Sequence, residues 1–99
     1  MPAYLIVSID VHDPQKFKSY GEKLAPLIAS FGGRFLVSGG EPQAVEGSLG
    51  LKRLVMIEFP SMEAARRFYD SPEYEPVKPL RLASASSDIV LVEGSAPSA

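Results

Sequence analysis

Apolar residues in this chain recur first at every second position, then at every third or fourth, then twice more at every second, again at every third or fourth, and finally at every second. Few folds accept that succession. From Tyr4 to Val11, Leu5, Val7, Ile9 and Val11 fall on one side of a two-residue ribbon and Tyr4, Ile6, Ser8 and Asp10 on the other, which predicts a strand. Asp13 followed by Pro14 is an N-cap with proline at the first helical position, and Phe17, Tyr20, Leu24, Leu27 and Phe31 continue as one helical stripe. Pro26 inside that stripe is expected to kink the helix, because its ring meets the carbonyl of Glu22 and it has no N–H to donate. Gly32 and Gly33 end it.

A second strand is predicted over Arg34 to Ser38 and a third over Arg53 to Phe59, stopped by Pro60. The intervening Gly39 to Lys52 stretch has no apolar period and reads as a loop, long for a hairpin connection. Ser61 caps a second helix running to about Asp70, with Met62, Ala65, Phe68 and Tyr69 inward. Ser71-Pro72-Glu73-Tyr74 predicts a short helical piece that Pro76 and Pro79 disrupt, leaving Arg81 in an irregular stretch. The serines of Ser84-Ala85-Ser86-Ser87 read as caps and loop residues, and Asp88 to Glu93 as the last strand.

The order β, α, β, β, α, β in a chain of 99 residues predicts an α+β, ferredoxin-like domain over residues 1–94, with both helices on one face of a four-stranded antiparallel sheet. Residues 95–99, all small or proline, are expected to form a disordered tail. Leu5, Val7, Ile9, Val55, Ile57, Phe59, Val90 and Val92 are expected to meet the helices. The opposite face would mix Ile6, Leu36, Leu54, Met56, Ile89 and Leu91 with Tyr4, Ser8, Asp10, Glu58 and Glu93, which is too apolar for water. A second copy packed on it about a two-fold axis, a homodimer, is the economical cover. So short a chain buries only roughly 60 to 65% of its unfolded surface and gains from a partner.

Composition narrows the chemistry. With no cysteine there are no thiolate metal sites, iron–sulfur clusters, disulfides or cysteine nucleophiles, and with one histidine a metal site would rely on carboxylates. No cofactor is expected. Ten basic against 12 acidic residues give no reason to expect a nucleic-acid or membrane partner, and no span or signal segment is readable, so a cytoplasmic location is expected. Gly32-Gly33 and Gly39-Gly40 lack the spacing of a phosphate-binding loop.

The run Gly32-Gly33-Arg34-Phe35-Leu36, then Gly39-Gly40, Glu46-Gly47 and Arg53, then Ile57-Glu58-Phe59-Pro60-Ser61, Ala64-Ala65, Tyr69, Ser71-Pro72-Glu73-Tyr74, Arg81 and Val92-Glu93-Gly94 resembles the domain of unknown function 1330 family. That family is similar to the dimeric α/β-barrel superfamily, which includes antibiotic-biosynthesis monooxygenases, muconolactone isomerases, chlorite dismutases and EthD-like proteins. The resemblance implies two ferredoxin-like subunits whose sheets form a barrel, and it implies no activity. It places Tyr20, Arg34, Glu46, Arg53, Glu58, Tyr69, Tyr74 and Arg81 among the recurring polar positions. Haem-using relatives depend on a histidine after the third strand, where this chain has none.

Two readings of these residues compete. In the first, a mainly apolar pocket on the helix-free face of the sheet, gated by the Gly39 to Lys52 loop and the Ser71 to Arg81 segment, binds a small organic acid or polyketide-like molecule. Arg53 and Arg81 would hold a carboxylate or enolate oxygen, Tyr20, Tyr69 and Tyr74 would add phenolic hydrogen bonds, Glu46 would line the site, and Glu58 or His12 would move a proton in a cofactor-independent proton transfer or oxidation. In the second, the protein is a non-catalytic dimeric module. The arginines then pair with Glu46 or Glu58, the tyrosines are core bodies with a hydroxyl reaching water, and His12 is an exposed turn residue.

Overall fold

The computed structural model describes residues 1–95, so the expected tail lies, from Ala96 onward, outside the described residues. The elements are β1 (Ala3–Val11), α1 (Pro14–Ser30), β2 (Arg34–Gly40), β3 (Arg53–Phe59), α2 (Met62–Tyr69), α3 (Lys78–Ser84) and β4 (Ala85–Glu93). Local chemistry explains the helix starts. The Asp13 side chain accepts from the Lys16 N–H at 3.1 Å ahead of Pro14, and Ser61 Oγ accepts from the Ala64 N–H at 3.0 Å. Helix α1 continues through Pro26, which sits on its exposed side, and ends where Gly32 turns to φ 81°.

All strand pairs are antiparallel and the sheet order is β2-β3-β1-β4, the ferredoxin-like arrangement. Leu5, Val7 and Ile9 of β1 and Ile57 and Phe59 of β3 are buried beneath the helices, where they meet Tyr20, Leu24 and Ile28 of α1, Ala65 and Phe68 of α2, and Tyr74. Burying one such large side chain stabilises the fold by about 1.5–3 kcal/mol. At Gly33 the backbone runs close against the core. A methyl group there would stand 2.8 Å from the Phe59 ring and 2.9 Å from Ile28, so the chain can leave α1 for β2 only with glycine at that point.

Three expectations need correcting. In β4 the faces are exchanged: Leu91 lies opposite Leu5 and Ile89 opposite Val7, so these two face the helices, while Val90 and Val92 lie on the open face and are 58% and 47% exposed. Facing residues of an antiparallel pair point the same way, and a strand reading Ile-Val-Leu-Val is apolar at both parities, so only register decides. The stretch holding Arg81 is a helix, α3, because Pro79 falls in its first turn, where no intrahelical donor is needed. Ala85 to Ser87 already belong to β4.

Strand β2 carries register shifts between Phe35 and Val37 and between Ser38 and Gly40. At the second, Gly39 takes φ 81°, the left-handed conformation of a glycine bulge. The open face of the sheet carries Ile6, Val37, Leu54, Met56, Val90 and Val92 with Tyr4, Ser8 and Glu58.

Candidate functional site

Helix α1 and the sheet do not close fully on each other. Between them lies a cavity of about 410 Å3. Two small residues one turn apart on α1, Gly21 and Ala25, line it, and a methyl group at Gly21 would meet nothing within 4 Å. Leu5, Val7, Ile9, Val55 and Ile57 form the apolar side given by the sheet. The site thus lies on the helix-bearing face, and the pocket placed on the helix-free face must be moved. The reason is strand parity: Arg53 lies opposite Ile9 and shares its face with Val55 and Ile57.

Five polar side chains named from the sequence reach this cavity: Tyr20 from α1, Arg53 from β3, Tyr69 from α2, Tyr74 from the turn after it, and Arg81 from α3. Tyr74 is positioned by Ser71, whose Oγ donates to the Phe68 carbonyl at 2.7 Å and accepts from the Tyr74 N–H at 3.1 Å. The Tyr20 and Tyr74 hydroxyls are 2.8 Å apart and buried. Lys78 lies over the Tyr69 ring, 4.2 Å from its centroid.

Arg81 is the unusual member. It is 6% exposed, its Nη1 donates to Ser87 Oγ at 2.5 Å, and its buried Nε has no hydrogen-bond partner among the described residues. No carboxylate pairs with it among the described ion pairs. Burial works against its charge, while Tyr74, and after it Tyr20 and Tyr69, favour it, with a net upward shift that keeps it cationic. Burial, and then Tyr74, hold the Tyr20 hydroxyl above its ordinary value, with Arg81 pulling the other way. No acidic or imidazole side chain is among the residues lining the cavity. The site is a set of hydrogen-bond donors in an apolar setting, suited to an anion.

The other candidate residues lie elsewhere. Glu58 is on the open face, opposite Arg34, whose Nε donates to its Oε1 at 2.8 Å, rather than beside Arg53 or Arg81. His12 is exposed just beyond β1, its Nε2 3.1 Å from Ser86 Oγ. Glu46 is exposed in the loop between β2 and β3. Arg53 pairs instead with Glu41, 3.5 Å away, and donates to the Gly39 carbonyl at 3.1 Å.

A family model described as a domain of unknown function, DUF1330, matches residues 2–95. The chain belongs to that family. No curated protein matches the DUF1330 chain by sequence. Among solved structures it is similar to RPA0582, a protein of unknown function from Rhodopseudomonas palustris, at 16% identity and TM-score 0.77 over 97% of this chain and 84% of that one. It is similar to SnoaB, a cofactor-independent oxygenase from Streptomyces nogalater, at 19% identity and TM-score 0.70 over 97% of this chain and 95% of that one. It is also similar to a dimeric ferredoxin-like protein of unknown function from Jannaschia sp. CCS1, at 13% identity and TM-score 0.74 over 95% of this chain and all (100%) of that one. At such identities the likeness is one of fold.

Two residues that contact the cavity arginines of this DUF1330 chain are not legible as such. Ser87 and Glu41 have the sequence surroundings of ordinary loop residues, yet Ser87 accepts a hydrogen bond from Arg81 and Glu41 lies 3.5 Å from Arg53. Ser87 is within reach of reasoning, since it lies opposite Ile9 once β1 and β4 are in register. Glu41 has no signal, because its position depends on the bulge at Gly39.

Proposed function

We propose that this protein binds an apolar small molecule through an ionised acidic oxygen group, in the cavity between α1 and the sheet, with Arg81 as the anchor. The observation that carries this reading is the buried Arg81 guanidinium, which lines an apolar cavity with one N–H unpartnered among the described residues and no carboxylate beside it. A buried charge is costly unless it is paired, and a ligand carboxylate, enolate or phenolate supplies the pair. One of the Tyr20 and Tyr74 hydroxyls donates to the other, which leaves the second hydroxyl proton free to be donated to a ligand.

Calorimetric titration with 2-naphthoate and its neutral analogue 2-naphthamide tests this in wild type and Arg81→Met. Binding of naphthoate alone, abolished in Arg81→Met, is the expected result; equal binding of the amide, or binding that survives the substitution, refutes it. The variant keeps its fold, because methionine replaces a buried charge that has no carboxylate partner among the described ion pairs with a flexible apolar chain. Glu58→Gln and His12→Ala leave the affinity unchanged, since neither residue is among those lining the cavity.

The likeness to a cofactor-independent oxygenase bears on the fate of a bound ligand. Arg81 and the tyrosine pair would stabilise negative charge on a ligand oxygen, the charge that an enolate carries. With no carboxylate or imidazole lining the cavity, the ligand's proton would pass to solvent, so the reading favours a ligand already acidic in water. The rival reading, an interface module alone, has no use for a cavity of this size.

The open face supports a homodimer as part of the same proposal. Val90 and Val92 are largely exposed beside Ile6, Leu54 and Met56, and a neighbour of the same fold is dimeric. A second copy of this sheet would cover those residues and take Glu58 and Arg34 into the interface as a ready-made pair.

A further inference from the structure

The two arginines of the cavity belong to one end of the sheet. Ile9 lies opposite Arg53 on one side and opposite Ser87 on the other, and Ser87 holds Arg81. Three neighbouring strands in one row put the backbones of Arg53 and Ser87 roughly 10 Å apart. The side chains between and beneath them, Ile9, Val7 and Val55, are apolar.

We propose that the ligand of this site carries two acidic oxygen groups on one apolar frame, and that Arg53 selects such diacids over monoacids. This rests on Arg81 being the anchor of the proposed function. Arg81 takes the first group in the buried end of the cavity. Arg53, which also lines the cavity, takes the second at its exposed edge.

Arg53 is held in a way that leaves it available. Its Nη1 donates to the Gly39 carbonyl, which the glycine bulge in β2 turns towards it. Its Nη2 faces only Glu41, at 3.5 Å, in a pair whose side chains are 59% and 80% exposed. An exposed ion pair of that length contributes little and exchanges readily. A ligand carboxylate can therefore replace Glu41 while the bond to Gly39 keeps the guanidinium in place. The charges agree: the lining carries two arginines and no acid, so a diacid balances both, whereas a monoacid leaves Arg53 with only its exposed pair to Glu41.

Titration calorimetry of the full chain with 2-naphthoate and with naphthalene-2,6-dicarboxylate tests the assignment. Wild type is expected to bind the dicarboxylate about tenfold more tightly than the monocarboxylate. Arg53→Met narrows the ratio to within about twofold, because it weakens the dicarboxylate far more than the monocarboxylate. Glu41→Gln, which removes the competing carboxylate, tightens the dicarboxylate by about threefold and not the monocarboxylate. Equal affinities of the two acids for wild type, or a preference that survives Arg53→Met, overturn the role of Arg53 and leave Arg81-dependent binding of naphthoate standing. Failure of wild type to bind 2-naphthoate, or equal binding by Arg81→Met, overturns the underlying reading and this inference with it.

Discussion

The Tyr20 hydroxyl lies 2.8 Å from the Tyr74 hydroxyl, 54 residues further along the chain, and this buried bond ties α1 to the turn that leads into α3. It closes one side of the cavity. Removing one hydroxyl leaves the other unpartnered, so Tyr20→Phe and Tyr74→Phe should each cost about 1–2 kcal/mol. Removing both should cost less than the sum, with a coupling of about 0.5–1 kcal/mol in urea denaturation. Strict additivity would mean that the bond does not form in solution.

Alkaline pH reads the same pair. Burial holds the Tyr20 hydroxyl above its ordinary value in the folded chain, whereas in the unfolded chain it ionises near pH ~10. Above that pH the unfolded chain releases a proton that the folded chain keeps, so its contribution to stability is complete below pH ~10 and falls as pH rises. Denaturation at pH ~8 and pH ~11 should show a loss that is smaller in Tyr20→Phe. Equal losses in the two proteins would place the alkaline sensitivity elsewhere.

Filling the cavity should separate stability from binding. Gly21 lies within α1 and has open space where a side chain would begin, so Gly21→Leu gains about 1 kcal/mol of helix propensity and further apolar burial. A raised melting temperature with loss of 2-naphthoate binding is the expected pair of results. Retained affinity in a stabilised variant would show that the ligand binds outside the cavity.

Gly33 makes the opposite case. Its φ is not left-handed, so the demand for glycine there is steric: a methyl group would meet the Phe59 ring and Ile28 below 3.0 Å. Gly33→Ala should destabilise the protein by about 1–3 kcal/mol, measured by thermal or urea denaturation. A change within about 0.5 kcal/mol would show that Phe59 moves aside freely.

The open sheet face should respond to charge. Met56→Lys and Val90→Lys place like charges where a two-fold related copy would pack, and light scattering should then report a monomer in place of a dimer. A wild-type monomer at micromolar concentration would contradict the dimer directly.

Much of the fold can be read from local chemistry. Asp13 with Pro14, Ser61, and the alternation of β1 and β3 act within a few residues of themselves, and the structure places helices and strands where they predict. Whatever depends on distant pairing is harder. The two parities of Ile89-Val90-Leu91-Val92 are equally apolar, so only register with β1 decides their faces, and the prolines around Val77 hide α3 because a proline ends a helix at one position and begins one at another. Within the site, Tyr20, Tyr69, Tyr74, Arg53 and Arg81 come together at the cavity, while Glu58, His12 and Glu46 stand apart from it. Arg53 shares the parity of Val55, Ile57 and Phe59 in the sequence itself; pairing it with Glu58 crosses from one face of the strand to the other.

Ligand anchoring by Arg81 is tested most directly by its Nε–H resonance in a proton–nitrogen correlation spectrum, assigned by its disappearance in Arg81→Met. A carboxylate held by this guanidinium changes the electric field at each of its N–H groups, so addition of 2-naphthoate should shift the resonance. An Arg81 resonance that stays unmoved at saturating naphthoate, while the ligand binds, would contradict the claim that this arginine holds the ligand's acidic group.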